Sequence, residues 1–308
     1  MTAMTAQPPI AEDQARLVEA MREAASAVEA TLDALLPSPG GPYGRVCEAM
    51  RYAVFAGGKR FRPVLTLAAA EALGGPRDSA IRAGAAIEAL HTYSLIHDDL
   101  PCMDDDDLRR GMPTAHRRFD EATAVLAGDA LLTWAFEALS APQTHADPLV
   151  RAELVGGLAR AAGAAGMVGG QMMDMLAPDV RYSEDEVALL QRLKTGALIR
   201  FSCEAGAILA QAGETRRRQL GGYAEELGLL FQITDDLIDA TGDEAKAGKA
   251  VGKDQAQGKA TFISIHGLDG ARRKAEALAQ SARARLDDLG DAAGTLRALP
   301  QFLLDRAS

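Results

Sequence analysis

Two clusters of aspartate, far apart in the chain, limit what this sequence can fold into. The first, HDDLPCMDDDD, has six aspartates between Asp98 and Asp107, and the second, QITDDLIDA, supplies Asp235, Asp236 and Asp239. Crowded carboxylates disfavour one another's charged state. Either cluster alone is as compatible with a solvated acidic surface as with a binding site. Both follow core-like sequence, YSLI and LLFQI, so we expect these carboxylates to emerge from packed helices.

The spacing within each cluster suits a hard cation. Asp98 and Asp104 frame a DDxxxxD pattern, with Asp99 between them, and the second cluster reads DDxxD. Asp235 and Asp239 are four residues apart and share one helical face, and Gln232 lies one turn earlier. Mg²⁺ prefers oxygen ligands, and one or two carboxylates plus substrate phosphates commonly hold it. Two such faces opposite each other predict a site for Mg²⁺ and a polyphosphate, whereas some of the residues 105–107 are expected to be merely solvated.

Apolar periodicity indicates an all-α protein. Only 5% of the residues are aromatic, and the alanine-rich stretches favour helices over β-sandwiches. Pro63 can open a helix that Gly74 closes, Asp78 can cap the next one, and Ser183 with Glu186 forms a capping box. We find no strand alternation, and expect helical pattern through about Leu176 and two shorter helices at the end. Further helices are predicted over about 11–36, 44–55, 78–99, 120–139 and 215–239.

Charge and cysteine content exclude several classes of protein. A net charge of −10 does not favour binding to a nucleic acid backbone. Three widely spaced cysteines without a CxxC pair indicate a reduced, cytoplasmic protein. The chain shows no signal pattern and no apolar run of about 18 residues, so we expect no stable membrane insertion. Residues 1–8 are expected to be disordered.

Basic residues form a second pattern. GGKRFRP places Lys59, Arg60 and Arg62 in a glycine-rich turn before a predicted helix, where glycine lets a ligand approach the backbone and helix N-termini favour anions. His91 lies seven residues before Asp98, two turns away on the same face, and an arginine pair follows at 109–110. This combination predicts a metal-free phosphate site beside the metal site, with the arginines facing phosphates rather than the aspartates. The alternatives are surface ion pairs and a buried structural His91.

Seven motifs occur in the order expected of one enzyme family, over about residues 45 to 265: GGKRFRP, HTYSLIHDDLPCMDDDDLRRGMPTAH, AGDALLTWAFE, GGQMMDM, LKTGALI, FQITDDLID and GKAVGKDQAQGKAT. The chain resembles trans-polyprenyl diphosphate synthases, most closely the bacterial farnesyl diphosphate synthase (geranyltranstransferase) group. The resemblance implies the isoprenoid synthase fold, an all-α bundle of roughly ten or more helices around a central cavity. It also implies a homodimer in which residues 1–308 form one domain.

The resemblance implies head-to-tail condensation of isopentenyl diphosphate with the allylic dimethylallyl and geranyl diphosphates. It implies a trio of Mg²⁺ ions, with Mn²⁺ as a substitute, held by Asp98, Asp104 and Asp235. Carried over to this numbering, the remaining roles fall on the following residues: auxiliary metal ligands Asp99, Asp236 and Asp239; isopentenyl diphosphate site Lys59, Arg62, His91 and Arg110; allylic diphosphate site Arg109, Lys194, Lys249 and Lys259; groups facing the carbocation Lys194, Thr195 and Gln232. The lysine- and glycine-rich stretch 241–259 is expected to be a lid.

Product length is expected to depend on Tyr93 and Ser94, one turn before the first acidic motif. In the family, an aromatic residue five positions before the first aspartate blocks the growing chain, and Tyr93 occupies that position. One aromatic beside a small serine predicts mainly the C15 product, farnesyl diphosphate. The alternative is that Tyr93 is a core residue whose hydroxyl bonds to a neighbouring helix.

Three other activities remain open at this stage. A geranylgeranyl diphosphate synthase differs only in the depth of the cavity. A class I terpene cyclase normally carries an Asn-Ser/Thr-Glu second motif, where this chain has DDLID, and a non-catalytic regulatory subunit would lose aspartates that this chain keeps. The chain ends LLDRAS, with Arg306 as its last base, so a role of the tail in closing the site is not expected.

Overall fold

The computed structural model describes residues 10–241 and 262–306, most of which are helical, as predicted. The helices are α1 (Ile10–Leu35), α2 (Gly44–Val54), α3 (Phe61–Ala72), α4 (Arg77–Asp98), α5 (Ala115–Arg118), α6 (Glu121–Ser140), α7 (Pro148–Ala162), α8 (Met167–Leu176), α9 (Glu184–Gln191), α10 (Ala197–Leu209), α11 (Glu214–Thr241), α12 (Phe262–Ala284) and α13 (Gly294–Arg306). A π-helical turn (Arg192–Gly196) joins α9 to α10, and a 3₁₀ segment (Asp287–Ala293) precedes α13. The expected disorder of residues 1–8 lies outside the described residues.

Two helices, α3 and α10, divide the hydrophobic core into two clusters. One face of α3, with Val64 and Leu67, packs in a cluster around α4 and α6. The opposite face, with Leu65, packs in a cluster around α11 and α12. The two helices approach each other closely because Gly206 of α10 has no side chain: a Cβ there would lie 2.6 Å from the nitrogen of Ala70. Helices α4 and α11, which carry the acidic motifs, therefore flank a common α3–α10 layer.

Several local details differ from the predicted ones. Helix α3 starts at Phe61 after the left-handed Arg60 (φ 48°), which leaves Pro63 within the first turn, where proline is tolerated. Asp78 lies in the first turn of α4 instead of capping it, because the helix already begins at Arg77. The segment after the first acidic motif forms a short antiparallel hairpin, β1 (Leu108–Arg109) with β2 (Met112–Pro113). Helix α12 spans 23 residues but is interrupted at Gly267, whose φ of 68° and ψ of 169° are not helical, so it consists of two shorter helical parts.

The predicted capping box is confirmed. Ser183 caps α9 through its Oγ, which accepts a hydrogen bond from the Glu186 amide at 3.4 Å, and the Glu186 carboxylate accepts from the Ser183 amide at 2.8 Å.

Helix α6 has a mean hydropathy of 1.3 and is, by length and composition, long and apolar enough to span a membrane. Half of it is buried in the bundle. This burial is the environment of a core helix in a helical bundle.

Candidate active site

The first acidic motif lies where α4 ends. Asp98 is the last residue of α4, and the following loop folds back so that the Asp104 amide donates to the Asp98 carbonyl oxygen at 2.9 Å. Burial raises the pKa of Asp98 to about 6, opposed by nearby Lys194 and reinforced by Asp104. Within residues 10–241 and 262–306, neither of these two carboxylates makes a side-chain hydrogen bond or ion pair. Asp98 and Asp104 are therefore open to a cation.

Asp99 has a different environment from its neighbour. It is 3% exposed, and its carboxylate accepts a hydrogen bond from Nε of Arg109 at 2.9 Å. Nη2 of Arg109 also contacts Asp99 and lies 3.4 Å from Asp106. The expectation that the arginines face only phosphates is thus wrong for Arg109, which already binds Asp99. Asp106 is half-buried rather than simply solvated, and Asp107 pairs with Arg117.

The second acidic motif occupies the last turns of α11. Asp235 is half-buried, whereas Asp236 and Asp239 are buried. One oxygen of Asp236 accepts from the Gln232 side chain at 3.1 Å, and the other accepts from the amide of Phe262 at 3.1 Å. Nη2 of Arg306, in the last helix, lies 3.8 Å from Oδ1 of Asp235.

Lys194 and Thr195 lie in the π-helical turn, a distortion that often marks functional sites. The turn is held tightly from one side: a Cβ on Gly170 of α8 would lie 2.2 Å from the Lys194 nitrogen. The Thr195 hydroxyl donates to Oε1 of Gln232 at 3.4 Å, which joins this turn to α11. Lys194, near Asp98, and Thr195, next to Gln232, therefore connect the two acidic motifs.

Asp174 is a site residue that sequence reasoning missed. Nζ of Lys194 lies 2.6 Å from its carboxylate, and Asp174 is 9% exposed. The only signal was a single acid in the otherwise apolar GGQMMDM segment, which served only to support the family resemblance. Asp174 therefore fixes the position of the Lys194 ammonium through this ion pair. One turn earlier, Nε2 of Gln171 is buried and has no hydrogen-bond partner among the residues of known placement.

The basic residues of GGKRFRP separate into two environments. Arg60 is 1% exposed and binds Glu88 at 2.9 Å and Glu29 at 3.0 Å, so it is a structural residue. Arg62 points elsewhere: its Nε is buried without a partner within the described ranges. Burial lowers the pKa of Arg62, and nearby Arg110 lowers it further against the effect of Glu88.

Arg110, Lys59 and His91 complete this cationic region. The Arg110 guanidinium donates a hydrogen bond to the Gly57 carbonyl oxygen. It also lies so close to Gly58 that a Cβ there would be 2.5 Å from the guanidinium, so position 58 requires glycine. Burial lowers the pKa of Lys59, which is further lowered by Arg306. Burial, followed by the arginines at 62, 110, 109 and 60, holds the pKa of His91 well below its usual range. A neutral imidazole among cations is an environment that favours an anion.

The expected chain-length residues lie on α4 before Asp98. Tyr93 is 7% exposed and packs edge-on against the His97 ring, with centroids 5.6 Å apart. Its hydroxyl has no hydrogen-bond partner in the described parts of the chain, so the alternative of a bond to a neighbouring helix is not observed. Burial, together with Asp98, raises the pKa of Tyr93. Half-buried Ser94 donates to the His91 carbonyl at 2.8 Å.

The described side chains can be compared with what the predicted metal site requires. In residues 10–241 and 262–306, no group of three or more His, Cys, Asp or Glu side chains is arranged to hold a metal ion by itself. That agrees with a cation that takes one or two carboxylates and completes its shell with phosphate oxygens and water. Lys249, Lys259 and the expected lid over 242–259 lie outside the described residues.

Comparison with known proteins places this geometry in context. The family model for polyprenyl synthetase matches residues 44–296. The chain is 46% identical over 264 residues to the farnesyl diphosphate synthase of Haemophilus influenzae, covering 85% of this chain and 88% of that protein. It is 45% identical over 248 residues to a heterodimeric geranylgeranyl pyrophosphate synthase large subunit of Arabidopsis thaliana, covering 79% of this chain and 67% of that protein. The apo crystal structure of an FPP/GFPP synthase from Zymomonas mobilis is similar with a TM-score of 0.86 and 46% identity, covering 94% of this chain and 99% of that one.

Proposed function

The chain belongs to the polyprenyl synthetase family, and from this membership we propose that it condenses isopentenyl diphosphate with dimethylallyl and geranyl diphosphates to make mainly farnesyl diphosphate. The observation that carries the proposal is the bridge between the acidic motifs: Lys194 lies near Asp98, and Thr195 bonds to Gln232 beside the second motif. Two groups of carboxylates with Lys194 near the first of them fit the ionisation of an allylic diphosphate.

The carboxylates fit Mg²⁺ because they are oxygen ligands, and burial disfavours the charged form of Asp98 in the absence of a cation. Asp98, Asp104 and Asp235 would hold the ions, three of them by family resemblance, and Mn²⁺ would substitute. When bound, Mg²⁺ stabilises the negative charge of the departing pyrophosphate. Asp99 and Asp239 are proposed to assist these three ligands. Asp99 does so by accepting a hydrogen bond from Arg109, which fixes the arginine beside the metal ligands.

The allylic diphosphate binds beside the same walls. Arg109 and Lys194 direct positive charge at its phosphates, and Lys249 and Lys259 are proposed to do the same on the basis of the family resemblance. Oε1 of Gln232, the Thr195 hydroxyl and the Lys194 backbone present oxygen to the allylic carbocation. This cation would be quenched by water, so the reaction requires that water be excluded.

Isopentenyl diphosphate binds in the cationic region formed by Lys59, Arg62, His91 and Arg110. Its double bond attacks C1 of the allylic cation, the new C–C bond forms, and a proton leaves the adjacent carbon to the released pyrophosphate. Arg62→Ala should raise the KM for isopentenyl diphosphate by at least tenfold and leave the KM for the allylic substrate within about threefold. Steady-state kinetics with each substrate varied in turn check this, and a selective rise in the allylic KM would reverse the assignment.

The activity itself is tested with isotopically labelled isopentenyl diphosphate and geranyl diphosphate. The purified protein with Mg²⁺ should give labelled farnesyl diphosphate, and chelator-treated protein should give none. A terpene cyclase would release unlabelled hydrocarbons from the allylic substrate alone, and a regulatory subunit would convert neither. Either of these results would refute the proposal.

Product length is a separate question, because relatives of similar identity carry the names of C15 and C20 synthases. Geranylgeranyl diphosphate synthase is therefore the second candidate. Tyr93, buried below Asp98, is proposed as the floor that stops elongation, beside the small Ser94. Tyr93→Ala should shift the main product from C15 to C20 or longer, and Tyr93→Phe should not, as measured by chromatography of the dephosphorylated products. A Tyr93→Ala variant that still stops at C15 would place the floor elsewhere.

Two further properties follow from the surface. Helix α6 exposes Val125 and Leu126, 40% and 59% accessible, on the side opposite its buried face, and we assign this side to the interface of a homodimer. Leu126→Glu should yield a monomer in size-exclusion chromatography with light scattering, whereas Glu121→Gln should not.

Cys47, Cys102 and Cys203 are free thiols, which suits the reducing cytoplasm. The chain is proposed to act there as one domain.

A further inference from the structure

Both side-chain oxygens of Asp236 accept hydrogen bonds. It is 4% exposed, its Oδ1 lies 3.1 Å from Nε2 of Gln232, and its Oδ2 accepts from the Phe262 amide at 3.1 Å. Gln232 is four residues earlier on α11, so the two side chains meet on one helical face. Phe262 is the first residue of α12. Asp236 thus ties the start of α12 to Gln232.

The chemistry of these groups fixes the direction of the Gln232 amide. An ionised carboxylate only accepts hydrogen bonds, so Gln232 must present its NH₂ group to Asp236. The amide is planar, so its oxygen then points the other way. That oxygen receives the Thr195 hydroxyl at 3.4 Å. A chain of hydrogen bonds therefore runs from Thr195 through Gln232 and Asp236 to the backbone of Phe262.

We propose that Asp236 is a positioning residue that orients the Gln232 amide with its oxygen toward the carbocation, and is not a ligand of Mg²⁺. This inference rests on the proposed function, in which that oxygen faces positive charge. A reversed amide would direct its positively polarised NH₂ group at the cation and destabilise it. Binding a metal through Asp236 would instead take an acceptor from the buried Phe262 amide, and such an unpaired donor is unfavourable.

Substitution by an amide of the same shape separates the two roles. In Asp236→Asn, the side-chain oxygen can still accept from Phe262, but the NH₂ group now faces Gln232 and forces its amide to reverse. We expect kcat to fall at least tenfold, while the Mg²⁺ concentration for half-maximal activity changes by less than twofold. Asp235→Asn is the matched control on the neighbouring carboxylate, and it should raise the Mg²⁺ requirement.

Exchanging the two groups gives a test by rescue. Gln232→Glu alone sets two carboxylates against each other and should also lose activity. In the double variant Gln232→Glu/Asp236→Asn, the amide donates to the carboxylate and an oxygen again faces Thr195. This double variant should exceed both single variants in kcat by at least threefold. A double variant no better than the poorer single variant would overturn the proposal.

A binding measurement gives an answer that does not depend on catalysis. Mg²⁺ with inorganic pyrophosphate should raise the melting temperature of the unaltered protein and of Asp236→Asn equally, and that of Asp235→Asn less. If Asp236→Asn loses this stabilisation as Asp235→Asn does, Asp236 is a metal ligand and the inference fails. If the unaltered protein shows the stabilisation but forms no prenyl product, the proposed function fails, and the melting comparison still decides between a metal ligand and a positioning residue.

Discussion

The two acidic motifs look alike as sequence but differ in how the protein treats their carboxylates. The first lies at the end of α4, where Asp98 and Asp104 have no side-chain partner in the described parts of the chain and burial raises the pKa of Asp98 to about 6. The second lies on α11, where Asp236 already accepts from Gln232 and Phe262. Arg306 lies 3.8 Å from Asp235.

This difference shows that aspartates in similar sequence motifs can have different roles. An open, buried carboxylate stores electrostatic free energy that a bound cation can release, and such perturbed groups concentrate at functional sites. A carboxylate satisfied by fixed donors instead holds its neighbours in place. The first motif is thus prepared for a cation, whereas the second combines one outward carboxylate, Asp235, with a structural one, Asp236.

The largest loss of activity is expected when a carboxylate assigned to the metal is replaced, and this loss tests the comparison of the two acidic motifs. Asp98→Asn and Asp235→Asn should each lower kcat/KM by about a thousandfold or more, because each removes charge that holds the ions opposite the leaving group. Asp106→Asn is the matched control in the first motif, and should lose less than about tenfold, since Asp106 lies 3.4 Å from Arg109 and is not assigned to the metal. Equal losses at positions 98 and 106, measured under saturating Mg²⁺, would contradict the distinction.

The raised pKa of Asp98 makes a second prediction, for the stability of the metal-free protein. A carboxyl group whose pKa is higher in the folded than in the unfolded state binds more protons when folded, so its contribution to stability is lost as pH rises through about 4 to 6. Asp98→Asn should therefore raise the free energy of unfolding at pH 8 by about 1–3 kcal/mol, and much less at pH 4. Urea denaturation with a chelator at the two pH values measures the difference in the free energy of unfolding between the unaltered protein and Asp98→Asn. His91 is present in both proteins, so its own pH-dependent contribution cancels in this difference.

An unchanged free energy of unfolding at pH 8 would mean that Asp98 is not held at raised free energy. Added Mg²⁺ and pyrophosphate should reverse the order of the two proteins, because only the unaltered carboxylate gains from the cation. This reversal would separate a binding role from a general improvement in packing.

The sequence allowed the placement of both motifs to be predicted, because helical periodicity depends only on local order. It correctly placed Asp98 at the end of a helix, and Asp235 and Asp239 on one helical face. The basic pattern alone could not separate Arg60 from Arg62, which stand two positions apart in the same turn, and only the family resemblance assigned Arg62 to the site. Arg60 turns inward because of its left-handed backbone and the distant partners Glu88 and Glu29, and neither is visible in a local pattern.

Contacts between distant helices were also beyond sequence reasoning. The ion pair of Lys194 with Asp174 joins α8 to a π-helical turn, and no spacing rule predicts such a turn. The pairing of Asp99 with Arg109 depends on how a loop folds back after Pro101. The tail was expected to play no part, because a single arginine near the end of a chain is a weak signal without knowledge of where the last helix packs.

The smallest effect is expected for substitution of Arg306. Its guanidinium lies beside Asp235 of the second motif in the absence of metal. Its guanidinium lies 3.8 Å from Asp235, and both side chains remain partly exposed, at 17% and 36%. A pair of this kind contributes about 0–1 kcal/mol, and it competes with Mg²⁺ for the same carboxylate. Arg306→Ala should therefore lower the Mg²⁺ concentration for half-maximal activity by about two- to fivefold, whereas Arg306→Lys should stay close to the unaltered enzyme. A rise in the Mg²⁺ requirement of Arg306→Ala would mean that Arg306 assists the bound diphosphate more than it opposes the metal, and the two motifs would then be equally dependent on arginines around them.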